Sequence, residues 1–209
     1  MRELEVLVAP TASSLVTQAE AEAYLGEALG ATADLRLAAA TREVEALCAQ
    51  VLRRATYRER TTGSGRDVLL LSRFPLVAVA SVSVDDVALD SGSYEVMASV
   101  GALHRTDGDV WPAPLRRNPR LYTVTLAPDP GPNVVVEYEA GYADGEVPDD
   151  LRLAVLRVLE YRLRRGVGVK AMRAGQASVT YLDERAGATE DGWLRADVLP
   201  LVAPYRVAV

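Results

Sequence analysis

Reactive and metal-binding side chains are scarce in this sequence. Cys48 is the only cysteine and His104 the only histidine among 209 residues. A single cysteine forms no internal disulfide, so nothing points to an oxidising compartment. A zinc site takes three or four Cys, His or carboxylate ligands, which this chain does not supply in the usual combinations. Aromatic residues make up 6% of the chain, so the core must be aliphatic, built from Leu, Val and Ala. Lysine is nearly missing: Lys170 stands alone, and arginine carries the rest of the positive charge, a bias that a GC-rich genome explains without any function. No stretch approaches the roughly 20 apolar residues of a membrane span. Met1 to Pro10 lacks the basic start and long apolar run of a signal peptide. We therefore expect a protein made in the cytoplasm that stays soluble and has no membrane partner.

The bulk of the chain is ordinary for a globular protein, with 49% hydrophobic and 25% charged residues. It is long enough to bury one large core or two small ones. The formal net charge is −6. An acidic chain is a poor general binder of nucleic acid, because phosphate contacts need cationic side chains to displace counterions. Local arginine clusters remain, at Arg53/Arg54/Arg58/Arg60, Arg116/Arg117/Arg120 and Arg162/Arg164/Arg165. Each suits phosphate or the carboxylates of a neighbouring subunit. Within an acidic chain we favour protein contacts, and Arg53, Arg54, Arg157, Arg162, Arg164 and Arg165 are candidate subunit-interface residues.

Local signals divide the chain. The first ten residues read as a loose arm. Thr17-Gln18-Ala19-Glu20 fits a capping box, and Ala21, Tyr24, Leu25 and Leu29 follow at helical spacing, with Gly30 as the stop, which predicts a helix over about 17–29. Leu37, Ala40, Val44, Leu47, Cys48 and Val51 form one apolar stripe, which predicts a second helix over about 33–54. Cys48 lies within that stripe and reads as a small buried residue. Thr56 onwards is rich in short apolar and alternating runs: Val68 to Leu71, Val77 to Val84, Val87 to Leu89, Ser93 to Met97, Ala102 to His104, Leu121 to Leu126 and Val134 to Tyr138. Asp85-Asp86 reads as a hairpin turn, and Trp111 to Arg120 as a Pro- and Arg-rich loop. Pro148, Asp149 and Asp150 open a third helix over about 148–165, where the proline pre-sets φ and the carboxylates face the positive dipole end. Its buried face is Leu151, Ala154, Val155, Val158 and Leu159. Gly166 to Gly175 reads as flexible, Ala177 to Leu182 as a strand, and 191–202 as a short final helix. The fold class is α+β: a small α-helical bundle from 1–55 and 147–166, an antiparallel β unit inserted at 56–146, and a C-terminal arm over 167–209 with the short helix.

Candidates for chemistry are weak. Gly166-Val167-Gly168 follows a helix where a dinucleotide loop must follow a strand. Gly63-Ser64-Gly65 lacks the Lys-Ser/Thr of a phosphate loop. No Gly-x-Ser-x-Gly elbow supplies a nucleophile for His104. The pairs Asp85/Asp86 and Asp149/Asp150 read as a turn and as helix-dipole compensation. Asp183, Glu184, Glu190 and Asp191 offer oxygen ligands for a divalent ion, but read better as solvated loop charges. The expectation is no enzyme, no catalytic residue, no cofactor and no metal.

One segment is more specific. Val134-Val135-Val136-Glu137-Tyr138-Glu139-Ala140-Gly141-Tyr142, then Gly145, then Val147-Pro148-Asp149-Asp150-Leu151, is a strand ending in Tyr-x-Ala-Gly-Tyr followed by Val-Pro-x-x-Leu opening a helix. With Leu15-Val16-Thr17, Ala38-Ala39-Ala40, Leu69-Leu70-Leu71, Phe74-Pro75-Leu76, Val79-Ala80-Ser81-Val82, Ser93-Tyr94, Trp111-Pro112 and Leu199-Pro200, it resembles the head–tail connector (adaptor, or head-completion) proteins of tailed double-stranded DNA phages and gene transfer agents. The resemblance runs from Leu15 to about Arg165 and is loose after Gly166. It implies a structural virion protein at the head–tail interface, a ring of about twelve copies beneath the portal protein, assembled by a heterologous interface whose rotation closes. Such a ring extends the DNA channel, through which DNA passes without sequence-specific binding, and docks the next tail or stopper protein. Acidic groups toward the channel would let DNA slide. The portal-binding candidates are Val198, Leu199, Pro200, Leu201, Pro204, Tyr205 and Arg206, in the arm after Gly166. The rival readings are another phage head or tail structural protein, such as a tail-completion or stopper protein, and a DNA-binding module.

Overall fold

The computed structural model describes residues 2–113, 115–118, 123–126, 131–143, 145–164, 171–174, 177–180 and 194–207. The chain divides into two compact units. One comprises Met1–Thr11 and Leu52–Ala143; the other comprises Ala12–Val51 and Asp144–Val209. Both helices and antiparallel sheets are present, so the fold is α+β.

The first unit is built from strands. Its main sheet has five, in the order β1 (Glu3–Val8), β2 (Ala55–Thr61), β10 (Val134–Ala140), β4 (Leu76–Val84) and β5 (Val87–Ala88), all antiparallel. Side chains alternate across a strand, and the sequence obeys that period. Ala55, Tyr57, Glu59 and Thr61 of β2 face inward, as do Val134, Val136, Tyr138 and Ala140 of β10. The tight turn between β4 and β5 holds Asp85 and Asp86 at φ 49° and 64°, the left-handed pair that a two-residue hairpin requires. A second sheet has the order β3 (Val68–Leu70), β7 (Ala102–Arg105) and β6 (Tyr94–Met97). Both sheets feed one core around Tyr57, Leu69, Leu103, Trp111, Val136 and Tyr138, so this core is not purely aliphatic: three of the few aromatic rings are its largest buried side chains. Trp111 is fixed there because its indole N–H donates to the carbonyls of Asp67 (3.0 Å) and Leu103 (3.2 Å). Two further strands, β8 (Leu115–Asn118) and β9 (Thr123–Leu126), pair only with each other among the described residues.

The second unit is helical. The capping box forms at Thr17 and Glu20, and α1 spans Gln18–Leu25. It stops at Gly26, with φ 72°, rather than at Gly30, which opens a 3-10 turn over Gly30–Thr32. Helix α2, Ala33–Cys48, buries Leu37, Ala40, Val44 and Cys48, as its stripe predicts. It is shorter than the expected 33–54, because Ala49 turns left-handed at φ 56° and closes the helix. Helix α3, Asp149–Arg164, buries the five apolar residues the spacing picks out, Leu151, Ala154, Val155, Val158 and Leu159. A π turn over Leu194–Val198 runs into α4, Leu199–Val202, and this segment packs against α3 and α2. A hairpin of β11 (Ala171–Ala174) and β12 (Ala177–Thr180) completes the described part.

Three expectations are corrected. The first ten residues are not a loose arm: Glu3–Val8 pairs with β2 as an edge strand. The Trp111 to Arg120 loop contains the strand Leu115–Asn118, and the stretch after Gly166 contains the strand Ala171–Ala174. Proline and arginine density mark a loop only when no partner strand offers a ladder, and pairing partners are invisible to local composition. The expected start of the last helix at 191, the Arg165 candidate and the acidic group Asp183, Glu184, Glu190 and Asp191 lie outside the described residues.

Candidate interaction surfaces

The Tyr-x-Ala-Gly-Tyr run ends where the β unit closes on itself. Tyr142 N–H donates to the Leu52 carbonyl at 2.8 Å, and Arg54 N–H donates to the Tyr142 carbonyl at 3.0 Å. Gly141 sits at φ 104°, and a Cβ there would lie 2.6 Å from the Arg53 carbonyl oxygen. Only glycine fits both the backbone angle and the close approach.

Beside this closure lies a buried polar cluster that the sequence reading missed. Glu59 is fully buried, yet it is well supplied with donors. Ser72 gives its backbone N–H and its hydroxyl, each at 2.9 Å, and Tyr138 gives its hydroxyl at 2.7 Å. Arg2 approaches at 3.1 Å from the N-terminal end. The same guanidinium donates to the Leu70 carbonyl at 2.8 Å, so it clasps the start of β1 to the β3 region. The Tyr138 phenol is held far above its usual range, first by burial and then by the Glu59 carboxylate. The signal was present, since Tyr57, Glu59 and Thr61 fall on one face at period two.

The other face of the main sheet carries ion pairs in rows. Arg58 meets Glu137 at 2.7 Å and Glu5 at 3.5 Å. Arg54 forks onto Glu139, with Nε at 2.6 Å and Nη2 at 3.0 Å. That hydrogen bond holds the Glu139 carboxyl below the usual carboxylate range. A polar concavity of this unit is an open depression lined by Arg66, Asp67, His104, Arg105 and Asp109. His104 Nε2 lies 3.4 Å from Asp67 there. Arg105 is committed elsewhere: it binds Asp107 at 2.6 Å and lies over the Trp111 ring.

In the helical unit, Arg152 pairs with Glu20 and Asp149, Arg162 with Glu43 at 3.1 Å, and Tyr24 donates to Glu160 at 3.1 Å. Arg157 donates to the Asp197 carbonyl at 3.0 Å. Cys48 is buried, and burial pushes its thiol up to about 11, as expected for an inert core residue.

The predicted interface and docking residues thus scatter. Arg54, Arg157 and Arg162 find partners inside their own unit; Arg53 forms a backbone bridge with Tyr142. Arg164 is the last residue of α3. Of the portal-binding candidates, Val198 is fully buried and packs into the helical core, as does Val202. Leu199, Leu201 and Tyr205 are half-buried, and the Tyr205 carbonyl accepts from Gln50 at 2.9 Å. Pro200, Pro204 and Arg206 are exposed. The end of the described chain is therefore docked on its own helices rather than free.

Among the described residues there is no group of three His, Cys, Asp or Glu side chains able to hold a metal, and no helix long and apolar enough to cross a membrane. Many of the described polar side chains pair with one another within their own unit. The chain belongs to the Head completion protein family, whose profile matches residues 27–190. Its fold is that of chains from gene transfer agent particles. One is from the neck of an empty particle computed with C6 symmetry, with TM-score 0.60 at 18% identity. Another is from the neck of a native particle computed with C12 symmetry, with TM-score 0.58 at 16% identity. A third is from the virion of a native particle, with TM-score 0.57 at 18% identity. In all three the alignment covers 99% of this chain and 96% of the other. No curated protein sequence matches the chain.

Proposed function

We propose that this protein is a head–tail connector subunit, a structural virion component that forms a ring beneath the portal, extends the DNA channel and docks the tail. The observation that carries the reading is the family match over residues 27–190. The likeness to neck chains over nearly the full length of both supports it. A neck computed with C12 symmetry favours twelve copies. The role is architectural rather than catalytic, in keeping with carboxylates and arginines that brace the framework. The exposed Pro200, Pro204 and Arg206 remain candidates for portal contact, on a segment anchored by Val198 and Val202. Electron microscopy of the purified protein, alone and mixed with its portal, tests the assignment. Rings, or added density under the portal, are the expected result. A chain that stays monomeric and leaves the portal bare under both conditions would overturn it.

A further inference from the structure

The strands of the main sheet differ in how much core they hold. β10 buries Val134, Val136, Tyr138 and Ala140, and β2 buries Ala55, Tyr57, Glu59 and Thr61. β1 gives the apolar core only Leu4, which is half-buried. Its other five residues are exposed, Val6 and Val8 among them at 53% and 57%. Its ladder to β2 also slips out of register between Val6 and Val8. β2 is held independently on its other side, where all of Ala55–Thr61 pairs with β10. A segment that buries little opens at a lower free energy than the core it lies on.

What β1 has instead is a clasp at one end. Arg2 precedes the strand, and its guanidinium reaches the Glu59 carboxylate at 3.1 Å and the Leu70 carbonyl at 2.8 Å. Ser72 Oγ and Thr61 Oγ1 lie within its reach, each at 3.4 Å. Leu4 stands opposite Glu59 in the ladder, so the strand and the guanidinium close over the same carboxylate. Without Arg2 that buried charge would keep the Ser72 and Tyr138 donors and lose its cation, so seating the guanidinium and closing the strand favour one another. Further along β1, Glu5 adds a looser contact, 3.5 Å from Arg58.

We propose that β1 is a strap that leaves and rejoins the sheet as a unit, with Arg2 on Glu59 as its latch. The core of the β unit stays formed when the strap is off. The edge of the sheet then changes from β1 to β2, whose freed N–H and C=O groups face solvent. This device does not depend on the ring.

Hydrogen exchange read by mass spectrometry tests it on the full-length chain, over residues 3–8, 55–61 and 134–140. In the unaltered protein the β1 amides bonded to β2 should exchange faster than those of β10. Within β2, the amides that serve β1 should follow the faster class and those that serve β10 the slower. Arg2→Ala should speed the β1 class by about tenfold, a figure discounted for a guanidinium that is partly in water, and leave β10 unchanged. Glu5→Gln should have a much smaller effect, because a loose surface ion pair contributes little. β1 amides as slow as those of β10 in the unaltered protein would overturn the strap. An Arg2→Ala variant with unchanged β1 exchange would overturn the latch, as would a Glu5→Gln effect of equal size. Equal acceleration of β1 and β10 in Arg2→Ala would show that the residue stabilises the whole unit, and would overturn the proposal too.

Discussion

At the scale of single residues, Glu59 is the most informative position. Its carboxylate is wholly out of water and receives donors from Ser72, Tyr138 and Arg2. A buried charge that loses its partners is costly, and so are buried donors that lose their charge. Glu59→Ala should therefore destabilise the β unit, by about 1–3 kcal/mol for each Ser72 or Tyr138 donor left unpaired. Tyr138→Phe, which removes one donor and keeps the rest, should cost about 1.5–3 kcal/mol. Denaturant unfolding of the purified variants measures both, and equal midpoints for Glu59→Ala and the unaltered protein would show that the cluster does not brace the sheet. The residue was legible in part. Period two places Glu59 inward with Tyr57 and Thr61, but its charge argues outward. Only the three-dimensional supply of donors from Ser72 and Arg2, distant in sequence, resolves that conflict. Cys48 was fully legible, because burial of a small apolar residue follows from helical spacing alone.

Among the elements, those specified locally were readable and those specified by partners were not. The capping box at Thr17 and the five buried positions of α3 depend on neighbours within a few residues, and both appear as the sequence indicates. β1 and β8 are four to six residues long and owe their state to hydrogen bonds from another part of the chain. The C-terminal segment shows a third case. Its apolar run, Val198 to Val202, was visible, but the surface it covers was not. The run packs on α3 and α2, with Val198 and Val202 fully buried. Val202→Asp should therefore lower the stability of the helical unit, by a penalty on the order of 3 kcal/mol for an unpaired buried polar group. Arg206→Glu, at an exposed position, should change stability by less than about 0.5 kcal/mol. Thermal melts separate the two. If Val202→Asp melts like the unaltered chain, the segment is not part of the core, and a free arm becomes the better description.

For the molecule as a whole, the family was legible because its motif encodes geometry. In this chain Tyr-x-Ala-Gly-Tyr needs glycine at φ 104° against the Arg53 carbonyl, a constraint that general composition does not express. The handling of charge by the whole chain leads to a last expectation. The arginine clusters suggest phosphate binding when read one by one. In the structure Arg54, Arg58 and Arg162 of these clusters each meet a carboxylate of the same unit, as do Arg105 and Arg152 outside them. An arginine already neutralised by a carboxylate displaces few counterions from DNA, and the chain carries a net charge of −6 on top. Non-specific DNA binding at physiological salt has a Kd of about 1–100 μM even for proteins built for it. The free subunit should fall outside that range, with no retarded band in a shift assay at about 150 mM salt and protein up to about 100 μM. Lowering the salt should produce only a shallow gain. A steep salt dependence, worth several phosphate contacts, would mean that the clusters act on nucleic acid and that the ion pairs open to do so. Absence of binding is what the proposed channel role would require, since DNA would have to move past the ring without being held by it.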